Sequence, residues 1–298
     1  MNAVVSENLA WLGRNSADTL SRAASAFREL RDPRAMYPAV GHQRALDGLL
    51  QLASDGNAGC GVLTAPPGLG KSLIRTALQQ QAPADRCTVV VAETGLLDFD
   101  DLLLEMLSQL RGERVTAAHL PGRYERIAEL KSALVSEVVA EGRHLLLLLD
   151  DADQMSAPAL NAVGSLMNLC SDRQTFVVPV FVGQPSLRQA LARLPALRQR
   201  VGAQFTLSPL GVAECDAYVE HRLRNAGLAA SRALDAGLAP ALHDASGGVP
   251  RVINAFCRHA LQHAAERGLT IVGADSLAAA RSLLLEGGAS LSPVFVGQ

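Results

Sequence analysis

The residues that most clearly predict chemistry in this sequence form the stretch Ala65-Pro66-Pro67-Gly68-Leu69-Gly70-Lys71-Ser72. Glycines let a backbone approach an anion closely and turn its amide hydrogens toward it. A lysine adds a mobile positive charge for terminal phosphates, and a serine hydroxyl is a ligand for Mg²⁺. The stretch fits the phosphate-loop pattern G-x-x-x-x-G-K-[ST], except that Ala65 stands at the first glycine. The sequence therefore predicts a nucleotide phosphate site here.

The flanking sequence supports this prediction. An apolar run, Cys60 to Thr64, precedes the stretch, and a helical pattern, Ser72 to Gln81, follows it, as in a strand–loop–helix phosphate site. Lysine occurs only at positions 71 and 131 among 27 lysines and arginines, so Lys71 is not compositional noise. We assign nucleotide binding to Pro67, Gly68, Leu69, Gly70, Lys71, Ser72 and Leu73. The alternative is a Pro-Gly turn that leaves Lys71 in solvent.

The alanine at the first loop position has two interpretations. If that position requires a positive φ, Ala65 is strained there, because L residues with a Cβ rarely adopt this conformation. If it does not, little is lost by the substitution. The sequence leaves both open.

A second candidate group is the acidic pair Asp150-Asp151, which follows five consecutive leucines. An apolar run without alternation is typical of a central parallel strand that is buried on both faces. Ligands of such sheets lie at the carboxyl ends of the strands, where the Lys71 loop also emerges. We therefore expect Asp150 to hold Mg²⁺ through water, with Ser72 as the other metal-binding residue, and Asp151 to orient or polarise the attacking water. The alternative is that these carboxylates cap the next helix.

The elements that must position these residues alternate between strands and helices as far as Ser208. Apolar or β-rich runs predict strands at residues 60–64, 87–91, 145–149, 176–182 and 204–207. Helical patterns fall near residues 1–31, 40–54, 72–81, 99–110, 123–139 and 157–170, and beyond Leu210 near 212–226, 231–245, 250–266 and 274–286. This order predicts an α/β fold, a parallel-sheet sandwich followed by a small helical lid domain.

The same pattern predicts the domain organisation. We expect an N-terminal helical arm at residues 1–36, an α/β nucleotide-binding domain at 37–208, a helical lid at 209–286 and a tail at 287–298. The arm carries an apolar stripe at helical spacing, which would pack either on its own domain or on a neighbouring molecule. The sequence does not decide between the two.

Composition narrows the class of protein. The chain has 298 residues, 49% of them hydrophobic and 19% charged, which is ordinary for a folded protein with a sizeable core. Five cysteines without C-x-x-C spacing are typical of a reducing compartment. The sequence has no signal-peptide pattern and no apolar segment of membrane-spanning length. We therefore expect a cytoplasmic protein without a direct membrane span.

The net charge of −2 argues against unspecific nucleic-acid binding, although a local basic surface could still bind DNA. One region concentrates positive charge. Its residues are Arg111, Arg114, Arg123, Arg126 and Lys131. A solvated surface and a contact with DNA or a partner protein are the two interpretations.

Together with three further stretches, these residues resemble the AAA+ ATPases, which are P-loop NTPases, and most closely the general secretion pathway protein A group. The first two stretches are His42-Gln43-Arg44-Ala45-Leu46 and Val182-Gly183-Gln184-Pro185-Ser186-Leu187. The third runs through Leu197-Arg198-Gln199-Arg200-Val201, Leu207-Ser208-Pro209-Leu210 and Tyr218 to Leu223. The stretch that begins at Val182 is similar to that group's V-G-Q-P-x-L. The resemblance covers about residues 33–265 and implies ATP and Mg²⁺ as ligands.

The resemblance also implies roles for individual residues. Gln184 takes the position of a sensor that touches the γ-phosphate or the water, and Arg251 that of a second sensor in the lid. Arg198 or Arg200 would be the arginine finger supplied to a neighbouring subunit's nucleotide, and of the two we prefer Arg200. Asp151 stands where the family usually carries glutamate, which predicts slow turnover. The membrane span and periplasmic region of the secretion proteins are not found in this sequence.

Three functions are compatible with this resemblance. The first is an ATPase that assembles into rings or filaments and remodels or loads a protein partner. The second is a DNA-associated ATPase of the transposition-regulator type. The third is a nucleotide-gated scaffold that hydrolyses ATP slowly.

Overall fold

The structure is a computed structural model that describes residues 18–29, 32–170, 175–229, 233–235 and 237–286. The chain divides into two compact units. The α/β unit comprises residues 40–207, and the helical unit comprises the described parts of residues 18–39 and 208–286. The predicted tail at 287–298 and residues 1–17 of the predicted arm lie outside the described residues.

The α/β unit is built on one five-stranded sheet. Its strands are β1 (Cys60–Thr64), β2 (Cys87–Glu93), β3 (His144–Asp150), β4 (Val177–Gly183) and β5 (Val201–Thr206). They are hydrogen-bonded in the order β2-β3-β4-β1-β5, and each neighbouring pair is parallel. The predicted parallel α/β sandwich is confirmed.

The helices connect these strands and form the second unit. They are α1 (residues 18–25), α2 (Val40–Asp55), α3 (Lys71–Gln81), α4 (Phe99–Arg111), α5 (Arg123–Ala133), α6 (Ala157–Leu166), α7 (Ser186–Ala192), α8 (Pro195–Arg198), α9 (Val212–Asn225), α10 (Leu238–Ser246), α11 (Pro250–Glu266) and α12 (Ala274–Glu286). A π-helical turn, Leu134–Val138, extends α5. None of the described helices combines the length and hydropathy that a bilayer span requires.

The leucines of β3 explain why this strand lacks alternation. Leu145, Leu147 and Leu149 belong to a buried core formed with α4, α5 and α6. Leu146 and Leu148 point to the other face of the sheet and are also fully buried. Because both faces are covered, every residue of the strand from Leu145 onward is apolar until its carboxyl end, where Asp150 begins the polar site.

Three predicted elements differ in their bounds. Strand β5, expected at 204–207, begins at Val201, because it pairs with β1 as an edge strand whose burial alternates. Helix α6, expected to reach residue 170, ends at Leu166, and Cys170 forms an isolated bridge with Thr175. The helix expected at 231–245 begins at Leu238, after Leu234 bridges Val272. For β5 and for the segment before Leu238, pairing with a distant segment overrides the local pattern, whereas α6 ends before a local bridge between residues five apart.

The helical unit gathers segments from both ends of the described chain. Leu20 and Phe27 pack in one buried core with residues of α9, α11 and α12. Arg222 of α9 is 5% exposed, and its guanidinium donates to the carbonyls of Ala26 and Arg28. A buried arginine is costly unless it is hydrogen-bonded, so these contacts fix residues 18–29 to the unit. The described part of the predicted arm therefore packs within its own chain.

A buried histidine at the amino end of β3 predicts how stability depends on pH. Burial lowers the pKa of His144 below 6.5, opposed by a hydrogen bond to the Ala53 carbonyl and by the charge of Asp55. Among the described residues its Nε2 has no hydrogen-bond partner. Below pH 6.5 the unfolded chain therefore binds a proton that the folded chain does not, and stability falls with acidification by at most about 1.4 kcal/mol per pH unit from this group.

The test compares His144→Gln with the wild type by urea unfolding at pH 7.5, 6.5 and 5.5. Glutamine does not titrate, so the variant should lack the loss of stability at acidic pH that His144 causes in the wild type. His119, an exposed histidine, provides the control variant His119→Gln, which should follow the wild type. If the wild type and His144→Gln lost the same free energy of unfolding between pH 7.5 and 5.5, the prediction would be contradicted.

Candidate functional site

The predicted phosphate loop connects β1 to α3. Gly68 and Gly70 have φ values of 83° and 92°, which glycine adopts without the strain that a Cβ would cause. Ala65 is not among the residues with positive φ, and its N–H donates to the Gly183 carbonyl at 3.1 Å. The first position therefore tolerates alanine.

Lys71 begins helix α3 and directs its amine back over the loop. Its Nζ donates to the Ala65 carbonyl at 2.8 Å and to the Pro66 carbonyl at 3.4 Å. Ser72 follows in the first turn with an exposed side chain. The loop thus presents an ammonium, a hydroxyl and the amino end of a helix, which suits a phosphate chain.

A buried histidine supports the loop from α2. His42 is 7% exposed, and its Nε2 lies 2.7 Å from the Leu69 carbonyl. Because a carbonyl only accepts, Nε2 carries the hydrogen and donates it. A Cβ at Gly70 would lie 3.3 Å from the same nitrogen, so this glycine also allows the histidine to approach. His42 therefore fixes the shape of the loop.

Asp150 ends β3 and is 5% exposed. Its Oδ2 accepts a hydrogen bond from Nε of Arg75 at 3.0 Å, and its Oδ1 accepts from the N–H of Asp151 at 3.1 Å. The Thr94 hydroxyl donates to its carbonyl at 2.7 Å. The carboxylate is therefore held in one orientation at the carboxyl end of the sheet.

Asp151 adopts a left-handed conformation, with φ 53°, and is the single non-glycine residue with positive φ in the described part of the chain. Aspartate tolerates this conformation better than residues with longer side chains, which is a physical reason for aspartate rather than glutamate here. Although its side chain is exposed, partial desolvation raises the pKa of Asp151, and the charges of Asp150 and Asp153 add to this. Lys71 and Arg75 act in the opposite direction.

Gln184 follows β4, and Asp153 fixes its backbone. The Gln184 N–H donates to Asp153 Oδ1 at 2.9 Å. A Cβ on Gly183 would come within 2.6 Å of that oxygen, so glycine is required for this close approach. The segment after β3 thereby sets the position of Gln184, whose side chain remains exposed.

The sheet order brings these groups together. Strands β3, β4 and β1 are consecutive neighbours, and all three end at the same edge because they are parallel. Asp150, Gln184 and the Lys71 loop follow their carboxyl ends. An α/β sheet binds ligands at this edge, where the order of the strands reverses.

The two candidate finger arginines differ in their contacts. The Arg200 guanidinium donates to the Gly164 carbonyl at 2.9 Å and to the side chain of Asn168. Arg198, at the end of α8, is exposed, and no side-chain hydrogen bond or ion pair joins it to another described residue. The geometry therefore does not favour our preference for Arg200, because an arginine bound to its own chain must break these bonds before it reaches another molecule.

Arg251 lies in the helical unit, as the second residue of α11. It is 69% exposed and lies 3.9 Å from Glu29, which is 75% exposed. Such a surface pair contributes little to stability, so Arg251 is available for another anion.

The groups present fit ATP and Mg²⁺ in their chemistry. Ser72 and Asp150 offer hard oxygen ligands, and Lys71 offers a charge for phosphates. Among the described residues, no three histidine, cysteine or acidic side chains form a metal cluster. Mg²⁺ sites that rely on one carboxylate, a hydroxyl and substrate phosphates need no such cluster.

Sequence reasoning missed three supporting residues. They are His42, Arg75 and Asp153, each of which contacts a predicted site residue. His42 and Arg75 carry a weak signal, since each is polar beside the apolar positions of its helix. Their partners lie 27 and 75 residues away, so no local pattern identifies the contacts.

Comparisons with known proteins agree with this architecture. Residues 54–191 match the AAA domain family model. General secretion pathway protein A of Aeromonas hydrophila is 33% identical over 240 residues, which cover 80% of this chain and 42% of that protein. This chain thus spans less than half the length of that relative.

Solved structures share the fold. The Aeropyrum pernix ORC2 protein, in its ADPNP–ADP complexes, has a TM-score of 0.65 at 15% identity, covering 86% of this chain and 71% of that one. Drosophila ORC bound to DNA has a TM-score of 0.61 at 19% identity, covering 91% and 66%. At these identities the likeness concerns the fold alone.

Proposed function

This chain is an AAA+ P-loop protein related to general secretion pathway protein A, and on that premise we propose that it binds ATP with Mg²⁺ and hydrolyses it. The observation that carries the proposal is the convergence of Lys71, Asp150 and Gln184 at one edge of the sheet. They follow three neighbouring strands, which supports one site for a triphosphate with its Mg²⁺.

Each group has a distinct role in the proposed reaction. The backbone from Pro67 to Leu73 and the Lys71 amine bind the phosphates. Ser72 and Asp150 would hold Mg²⁺, which would neutralise charge on the phosphates. Asp151 orients the attacking water and accepts its proton, and its raised pKa makes it a stronger base. Gln184 contacts the γ-phosphate or the water.

Two arginines complete the proposed site. For Arg251 we propose the role of second sensor that the resemblance to the family implies. Arg198, rather than Arg200, acts on the nucleotide of a neighbouring subunit, because the Arg200 guanidinium is already bound to Gly164 and Asn168. The proposal therefore includes self-association into a ring or filament.

DNA binding is the second candidate function, and the contacts of the basic region weigh against it. Arg111 pairs with Glu129, and Arg123 pairs with Asp100. Arg126 is 8% exposed and donates to the Leu120 carbonyl. Three of the five basic residues are thus committed within the chain, which leaves little charge for phosphates of DNA. We favour a protein partner that the ATPase remodels or loads.

We also place the protein in the cytoplasm. Its five cysteines are all free, and four of them are buried. Free thiols of this kind persist in reducing compartments.

The test of the proposed function is Mg²⁺-dependent ATP hydrolysis by the wild type and by Asp151→Asn. Asparagine tolerates the left-handed backbone equally well but cannot accept a proton as a carboxylate does. We expect ATP binding to persist and turnover to fall by about 10²–10⁴-fold. Asp101→Asn, which changes an exposed aspartate of α4, should hydrolyse ATP like the wild type.

Three outcomes would redirect the proposal. Normal turnover by Asp151→Asn would show that Asp151 has only a structural role in the turn after β3. A wild-type rate that is negligible until duplex DNA is added would favour the DNA-associated function, and ATP binding without hydrolysis in either condition would favour the scaffold.

A further inference from the structure

The most enclosed ion pair of the described chain joins the phosphate-loop helix to β3. Arg75 lies in α3, one turn beyond Lys71, and its Nε donates to Asp150 Oδ2 at 3.0 Å. The two side chains are 16% and 8% exposed. Every other described ion pair has at least one side chain that is 25% exposed or more.

This pair involves the carboxylate that the proposed function assigns to Mg²⁺. Its second oxygen, Oδ1, accepts from the Asp151 N–H, so both oxygens already have partners. A carboxylate that is removed from water without a nearby cation is strongly unfavourable. The Arg75 guanidinium supplies a positive charge at this position before any metal binds.

We propose that Arg75 is a positioning residue that serves as the internal counter-ion of Asp150 in the nucleotide-free chain and competes with Mg²⁺ for that carboxylate. This inference rests on the proposed function. Because two cations share one carboxylate, the guanidinium stabilises the empty site and weakens the contribution of the metal to nucleotide binding. If Arg75 only connected α3 to β3, it would stabilise the fold but leave the contribution of Mg²⁺ to nucleotide affinity unchanged.

The experiment measures the affinity of a fluorescent ATP analogue with Mg²⁺ and with EDTA. The affinity with Mg²⁺ divided by the affinity with EDTA reports how much the metal contributes to nucleotide binding. Arg75→Gln removes the charge and keeps a donor of similar reach. We expect this ratio to rise by about three- to tenfold, since a charge-assisted hydrogen bond no longer competes for Asp150. The thermal midpoint of the nucleotide-free variant should fall, because Asp150 loses its counter-ion.

A double-mutant cycle identifies Asp150 as the residue through which Arg75 acts. Asp150→Asn should lower the affinity ratio, and adding Arg75→Gln should then change it no further. The double variant should also recover nucleotide-free stability relative to Arg75→Gln, because a neutral pair leaves no buried charge. This stability measurement needs no nucleotide, so it still tests the inference if Arg75→Gln folds too poorly for the binding measurement.

Arg86→Gln is the matched control, since Arg86 forms an exposed pair with Asp85 outside the site. Arg86→Gln should change neither the affinity ratio nor the thermal midpoint of the nucleotide-free protein. An unchanged affinity ratio in Arg75→Gln, or a double variant as unstable as Arg75→Gln, would overturn the inference. An equal loss of affinity with Mg²⁺ and with EDTA would also overturn it, since Arg75 would then contact phosphate directly. A wild type that binds no ATP would overturn both this inference and the proposed function.

Discussion

Replacing Lys71 by alanine is expected to abolish detectable ATP binding while the fold remains intact. The amine lies over the carbonyls of Ala65 and Pro66 in the loop, within reach of a phosphate chain. Charge-assisted hydrogen bonds contribute about 1.5–3 kcal/mol each. Losing two such bonds from the Lys71 ammonium to phosphate oxygens would therefore weaken ATP binding by about a hundredfold or more. Alanine is the best helix former, so α3 should still begin at this position.

The chain offers a matched control for this variant. Lys131 is the second of the two lysines in the sequence, and its side chain is exposed on α5. Lys131→Ala should bind ATP like the wild type. Both variants should show the circular dichroism and unfolding transition of the wild type. Nucleotide affinity that is unchanged in a folded Lys71→Ala protein would remove the basis of the proposed site.

The second large effect is expected from Arg198→Ala, which should bind ATP normally but lose turnover. A guanidinium supplied by a neighbouring subunit stabilises charge on the transferring phosphoryl group and contributes on the order of 10³-fold or more to the rate. Arg198 is exposed at the end of α8 and has no described side-chain partner, whereas Arg200 is bound to α6 through Gly164. Arg200→Ala should therefore reduce stability rather than the turnover of the folded protein.

Dilution and mixing experiments test whether catalysis is shared between subunits. The ATPase rate per subunit should fall as the protein is diluted below its assembly concentration. Arg198→Ala should be partly rescued by Lys71→Ala subunits, which lack ATP binding but retain the finger. Arg193→Ala, a nearby exposed arginine, serves as the control and should keep normal turnover. A constant rate down to monomers, without rescue on mixing, would show that one chain contains the whole site.

The local structure around the candidate site could be predicted largely from the sequence. The glycines, Lys71 and Ser72 are nearly consecutive, so their spacing alone predicts the loop that the structure shows. The leucines before Asp150 likewise predict a strand buried on both faces. Such features depend on residues close in the chain, whose backbone conformation and burial follow from local pattern.

The tertiary structure decided what depends on residues far apart in the chain. The pairing of Arg75 with Asp150 spans 75 residues, and the bond between Arg200 and Gly164 spans 36. Both arise because the sheet order places β3 and its neighbouring helices beside distant segments. A side chain selects its partner by distance and burial in the folded chain, and neither quantity is encoded in local spacing. For this reason the sequence predicted the phosphate loop and the acidic pair, and only the fold showed the contacts of Arg200 and the pairing of Arg75 with Asp150.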